Sequence, residues 1–197
     1  MIYLVRMRPK FRAAAVALVL VGALSASGCA SEAPAADPTP TPSATPLFAS
    51  DEEALAAAEE AYAAYQQVSD SILIDGGAEP ERLLKVATEA QYEYEKAGFD
   101  EAKANGLRST GGSTFDTVTL RDWKDEAGDG RLVVSVLLCD DVAAVDIIDR
   151  QGQSVVDSSK PARFPRVAYF DLAASDREQL LVSTIEEWDG ENFCVAD

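Results

Sequence analysis

Histidine is absent from this 197-residue chain. That excludes Ser-His-Asp and Cys-His hydrolases, histidine acid/base dyads and the usual zinc sites, all of which depend on an imidazole. Cationic side chains are scarce: 17 Lys and Arg stand against 34 Asp and Glu, for a formal charge of −17. Four of those cations, Arg6, Arg8, Lys10 and Arg12, lie ahead of the first apolar run. The residues beyond it keep 13 cations against all 34 acids, a charge of −21. A surface of that sign repels phosphate backbones, so nucleic acid is excluded as a partner, and anionic lipid headgroups are repelled too. The G-x-S-x-G, G-x-x-x-x-G-K-[ST] and G-x-G-x-x-G patterns are missing, which leaves α/β-hydrolase, P-loop and dinucleotide-binding functions without support. Cysteine is held to three residues with no C-x-x-C pair. The uncharged stretch Ala13 to Leu24 stops short of the ~20 residues that span a bilayer.

What the N-terminus does contain is a basic leader without an acid, that short apolar run, and small residues at Ser25 to Gly28. These are the three parts of a secretory signal, removed before folding matters. Cys29 follows directly. The segment Ala26-Ser27-Gly28-Cys29 resembles the lipobox of bacterial lipoproteins, although Ala26 stands where Leu is more usual. The resemblance implies a diacylglycerol thioether on Cys29, further acylation by chains such as palmitate, and a place on the extracytoplasmic face of the cell membrane. Two acyl chains at about 0.8 kcal/mol per buried methylene hold a protein firmly, whereas one does not. An ordinary secreted protein with an incidental Cys29, or an uncleaved anchor, is the alternative.

The chain therefore divides into a signal peptide, 1–28, a tether, 29–47, and a domain, 48–197. Pro38, Pro40, Pro42 and Pro46 nearly alternate in a stretch without large apolar residues, which predicts an extended, polyproline-like spacer. Ser50 and Glu53 form a capping box at the head of a helix on which Leu55, Ala58, Tyr62, Tyr65, Val68 and Ile72 share one face. Gly76-Gly77 ends it. Pro80 opens a short helix running to Thr88, and Glu89 to Asn105 predicts another, with Gly98 as a break and Asn105-Gly106 as its stop. From Thr114 the period changes to that of strands. Phe115 to Trp123, Leu132 to Cys139, Val142 to Ile148, Gln153 to Val156, Arg163 to Leu172 and Gln179 to Trp188 predict an antiparallel meander, with Asp149 to Gly152 as a turn. Helices first and strands after indicate an α+β domain, with the helices packed on a curved antiparallel sheet.

That order resembles the cone-shaped nuclear transport factor 2-like (NTF2-like) fold. Phe48 to Cys194 is also similar to uncharacterised actinobacterial lipoproteins, as is the Ala and Asp/Glu usage. The similarity lies in Phe48-Ala-Ser-Asp-Glu-Glu-Ala-Leu55, the helix with Tyr62 and Tyr65, the strand ending Cys139-Asp-Asp141, and Trp188-x-Gly190-x-x-Phe193-Cys194. It implies no single activity, because this fold carries enzymes, ligand binders and interaction modules alike.

With Cys29 given to lipid, Cys139 and Cys194 are the pair left for a disulfide in an oxidising compartment, clipping the C-terminal segment to a strand. A redox-active role lacks its C-x-x-C and any sign of a lowered thiol pKa. Ketosteroid isomerases of the cone fold use an Asp base with Tyr and protonated-Asp donors. Here Tyr62 or Tyr65 with Asp116 or Asp171 is the corresponding alternative. Asp125, Glu126 and Asp129, and separately Asp140 and Asp141, invite calcium, but Asp125 to Gly130 departs from the calcium-loop pattern at its third position. Trp188 and Phe193 form either an exposed aromatic patch or packing under the disulfide. The expectation is a lipid-anchored, non-catalytic binding or interaction module without metal or cofactor, its partner an envelope protein or a small ligand. The alternative is a small-molecule binder or a Tyr/Asp isomerase-type enzyme.

Overall fold

Helix α1, Asp51–Ile74, begins where Ser50 accepts a hydrogen bond from the Glu53 amide at 3.3 Å, while the Glu53 carboxylate accepts from the Ala49 amide at 2.7 Å. This reciprocal cap satisfies amides that the first helical turn cannot. The structure is a computed structural model and describes residues 47–124, 132–157, 159, 161–176 and 179–195. They belong to one compact unit, Ser43–Asp197. The signal, Cys29 and nearly all of the tether lie outside the described residues, as does the Asp125–Gly130 loop.

Pro80–Lys85 is a 3-10 helix, shorter than the helix expected to reach Thr88. The chain from Val86 to Thr88 instead extends along a strand: the Val182 amide donates to the Val86 carbonyl and the Thr88 amide to the Val182 carbonyl. Helix α2, Glu89–Asn105, runs unbroken through Gly98 and closes on Gly106 in the left-handed conformation, where glycine carries no Cβ penalty. The expected break at Gly98 does not occur because a glycine's penalty of about 1 kcal/mol is small beside a full helix of hydrogen bonds.

Six strands follow: β1 Arg108–Thr110, β2 Thr114–Trp123, β3 Leu132–Asp141, β4 Asp146–Ile148, β5 Arg163–Leu172 and β6 Leu180–Glu187. The main sheet is antiparallel in the order β2-β3-β5-β6, and β1 pairs with β4 in a separate two-stranded sheet. The expected meander is thus corrected in its middle. Val142–Ile148 yields only three strand residues, these leave the main sheet, and Gln153–Val156 contributes a single bridge, Ser154 to Ile148. Tight turns are the reason. Val145 closes back on the Val142 carbonyl, and the expected turn at Asp149 to Gly152 is present, Asp149 Oδ1 accepting from the Gln151 and Gln153 amides, the local bonding for which Asp is favoured in turns. The chain then returns so that Asp141 faces Arg163 and β3 zips directly onto β5.

Bulges interrupt β2 between Asp116 and Thr119 and between Leu120 and Asp122, with Thr117 at φ 53°. Bulges of this kind bend a strand and sharpen its twist. Tyr62, Tyr65, Ile72, Leu83, Phe99, Val134, Val136, Leu138, Phe170 and Val182 are all buried in the space between helices and sheet. Each fully buried side chain of this size stabilises by roughly 1.5–3 kcal/mol. The result is the expected α+β architecture, helices packed on a bent antiparallel sheet. Among the described residues no helix is long and apolar enough to cross a membrane.

Candidate functional site

Strand alternation decides which side chains can meet. The register sets Val134, Val136, Leu138 and Asp140 of β3 on the face beneath α1, opposite Phe170, Ala168, Arg166 and Phe164 of β5. That face is apolar at one end and carries Asp140, Arg166 and Glu187 at the other, one from each of three neighbouring strands. Two residues of α1, one apiece from successive turns, complete the cluster. Tyr62 donates its hydroxyl to Asp140 Oδ1 at 2.8 Å, and Gln66 Nε2 donates to the same oxygen at 3.1 Å. Arg166 Nε lies 3.7 Å from Asp140 Oδ2, an ion pair too long for a hydrogen bond, and its Nη1 reaches Glu187 at 3.4 Å. The guanidinium also stacks 4.7 Å from the Phe164 ring centroid.

Burial sets the protonation behaviour of this cluster. It pushes the Asp140 carboxyl above the usual carboxylate range, although the Tyr62 hydrogen bond and the Arg166 charge pull the other way. Burial, followed by the adjacent Asp140 charge, raises the Tyr62 phenol well above its ordinary value. Tyr65 forms a second pair, donating to Glu95 Oε1 at 2.9 Å, with Gln91 bridging both. Its phenol is raised by burial first and Glu95 next. Both tyrosines are therefore neutral hydrogen-bond donors at physiological pH.

The Tyr/Asp alternative is corrected in its partners. Asp116 points to the opposite face of the sheet, where Arg163 Nη1 and Nη2 hold it bidentately at 2.8 Å and 2.8 Å. Hydrogen bonds from Arg163 and then Thr117 lower its carboxyl to about 2. Asp171 sits on β5 opposite Leu132 and Leu181, at the far end of the sheet from Asp140. The carboxylate that meets Tyr62 is Asp140, 78 residues away in sequence. Only the acid end of Cys139-Asp-Asp141 signalled it, and there as a calcium candidate. Asp140 and Asp141 cannot chelate one ion, because successive strand residues face opposite sides. Asp141 joins Asp116 on Arg163, at 3.0 Å. Among the described residues no group of three or more carboxylate or thiol side chains is disposed to hold a metal.

The outer face of the sheet carries the C-terminal strap. Cys139 and Cys194 stand in disulfide geometry, with sulfurs 2.07 Å and Cα atoms 5.5 Å apart. Arg163 Nε donates to the Cys194 carbonyl at 3.2 Å, and the Trp188 amide donates to the Pro165 carbonyl. Trp188 is half-buried, folded back over Gly190 with Arg121 5.7 Å above its ring. Phe193 is half-buried beside the bridge. Of the two readings for these aromatics, packing at the strap fits.

The site and fold together define an α+β domain with a polar cluster under α1 and a pinned C-terminal strap. No protein-family model matches the chain, and no curated protein matches it significantly. Among solved structures, Aln2 from a Streptomyces species is similar at 19 % identity, covering 70 % of this chain and 92 % of its own, with a TM-score of 0.39.

Proposed function

We propose that this protein is a lipid-anchored cell-envelope module that binds or docks a partner without catalysing a reaction, tethered through diacylglycerol on Cys29 at the extracytoplasmic face. The anchoring half is supported by the basic leader, the apolar run and the small residues that end at Cys29. The observation carrying the non-catalytic half is the packing of the interior. Tyr62, Phe99, Phe170 and Leu138 are nearly or wholly buried where an enzyme of this shape would hold its substrate. Recesses such as that of about 220 Å³ beside Ala57, Ala61, Val86 and Leu180 border α1 rather than the face beneath it. Actinobacterial lipoproteins supply the resemblance in which this reading sits.

The Tyr62–Asp140 pair favours the second reading, a Tyr/Asp pocket, because a neutral phenol beside a raised carboxyl is the pairing such chemistry uses. Against it, Tyr62 is only 2 % exposed and Asp140 is already engaged by Tyr62, Gln66 and Arg166. The experiment is fractionation of cells expressing wild type and Cys29→Ser. The variant is expected in the membrane-free fraction, while continued membrane retention overturns the anchor. Cross-linking on intact cells then reads the docking half, for which a discrete cross-linked species with the wild-type chain is expected.

A further inference from the structure

A groove of about 440 Å³ opens at the flank of α1, outside the packed interior. Ala63, Gln66, Gln67 and Asp70 form its helical wall, and Ser113 just before β2 and Phe115 within it form the other. The volume falls in the range of small-molecule sites. Its chemistry is one-sided. Asp70 is the lining charge and has no cationic partner among the described residues; it accepts only from the Ser113 amide at 2.7 Å and the Ser113 hydroxyl at 3.0 Å. Arg166, the guanidinium beside Asp140 behind Gln66, is committed to Asp140 and Glu187.

From this geometry we infer that the groove binds a small organic cation, an ammonium group on a compact apolar body. The ammonium would face Asp70 and the Gln67 amide, and the carbon body would lie on Ala63 and the Phe115 ring, a wall of the kind that attracts cations and covers apolar surface. An anion meets a carboxylate with no cation to compensate it. A divalent metal is disfavoured because a lone carboxylate with a hydroxyl falls short of the six or more oxygens calcium requires. An ammonium needs only three acceptors. The net charge of the chain, −17 even with its basic leader, raises the local concentration of cations at such a site.

The inference rests on the binding-module reading and gives it a ligand class. The test is calorimetric titration of the detergent-solubilised full chain, so it does not depend on where the chain sits in the cell. The probes are 2-phenylethylammonium, the neutral 2-phenylethanol and the anionic phenylacetate. Saturable binding of the ammonium alone is expected, weakened about tenfold or more by Asp70→Asn, since hydrogen bonds to an ionised partner are the strong ones. Because Asp70→Asn also touches the Ser113 contacts, Gln67→Lys serves as the second variant: it leaves those contacts in place, introduces a cation at the mouth, and is expected to lose binding equally. Equal binding of the alcohol, absence of saturable ammonium binding, or retention of affinity in Gln67→Lys overturns the site. A negative titration together with release of Cys29→Ser from membranes rejects the ligand class and leaves the anchored module standing.

Discussion

Replacing both strap cysteines with alanine, in a chain that also carries Cys29→Ser so that no other thiol interferes, should destabilise the domain by about 4 kcal/mol. The figure follows from the 55-residue separation of Cys139 and Cys194. In the chain-entropy treatment, closing a loop of that size removes unfolded-state freedom worth about 4 kcal/mol at 25 °C. Two native-state effects adjust it. Cys139 is fully buried and Cys194 is 4 % exposed, so removing the sulfurs leaves a small void that adds roughly 1 kcal/mol. The Arg163 contact to the Cys194 carbonyl and the Trp188 backbone bond to Pro165 remain, so the strap need not detach in the folded state. For a domain of this size a loss of about 4–5 kcal/mol corresponds to a fall in Tm of about 8–20 °C. Guanidinium unfolding of C29S and C29S/C139A/C194A, read by tryptophan fluorescence, gives the comparison directly. A slope increase in the variant is expected as well, because an unlinked denatured chain exposes more surface. Two free thiols in exported C29S protein, or midpoints that coincide, would falsify the clip.

Asp140→Asn tests the cluster under α1 through its pH dependence. A carboxyl raised by burial favours folding fully below its ordinary value of 3.8, and that contribution is lost as pH rises through the higher folded-state value. Asparagine has no such loss, so the stability of the variant relative to wild type should improve between pH 3.5 and 7. Urea unfolding at the two pH values measures it, and a difference that does not move with pH refutes the burial argument. A glycine pair tests the interior of α2 and the turn after α1. Gly98→Ala, with no atom within 4 Å of the added Cβ, should stabilise α2 by about 0.5–1 kcal/mol. Gly77→Ala should cost about 2 kcal/mol or more, because φ is +78° and the Cβ would sit 2.1 Å from the Phe99 carbonyl oxygen. Thermal melts decide both, and a destabilised Gly98→Ala would mean the helix is weaker there than its hydrogen bonding indicates.

The elements that the sequence made legible are those whose causes are local. The Ser50–Glu53 cap, the Asn105-Gly106 stop, and the long strands at Leu132 and Arg163 each arise from residues a few positions apart, and they stand within a residue or two of expectation. Val142 to Ile148 misled because its apolar, β-branched composition is that of a strand, while the Ala143-Ala144 turn diverts the backbone; the turn at Asp149 to Gly152 stands as expected. Strand β1 went unseen for the converse reason: Arg108–Thr110 has no apolar alternation and exists only because β4 lies beside it.

The sequence by itself determined the leader pattern ending at Cys29, the strongly acidic charge, the helices-then-strands order and the two cysteines left to pair. Each follows from composition or from short-range spacing. Only the tertiary structure decided that Tyr62 meets Asp140 rather than Asp116, that β5 zips onto β3 across a long excursion, and that Asp70 borders an open groove. Alternation guarantees that Asp140 and Asp141 face opposite ways, but which of them lies beneath α1 depends on how the helix packs over the sheet. That choice is made by burying Tyr62, Leu138 and Phe170 together, a matter of long-range packing that no local stretch encodes.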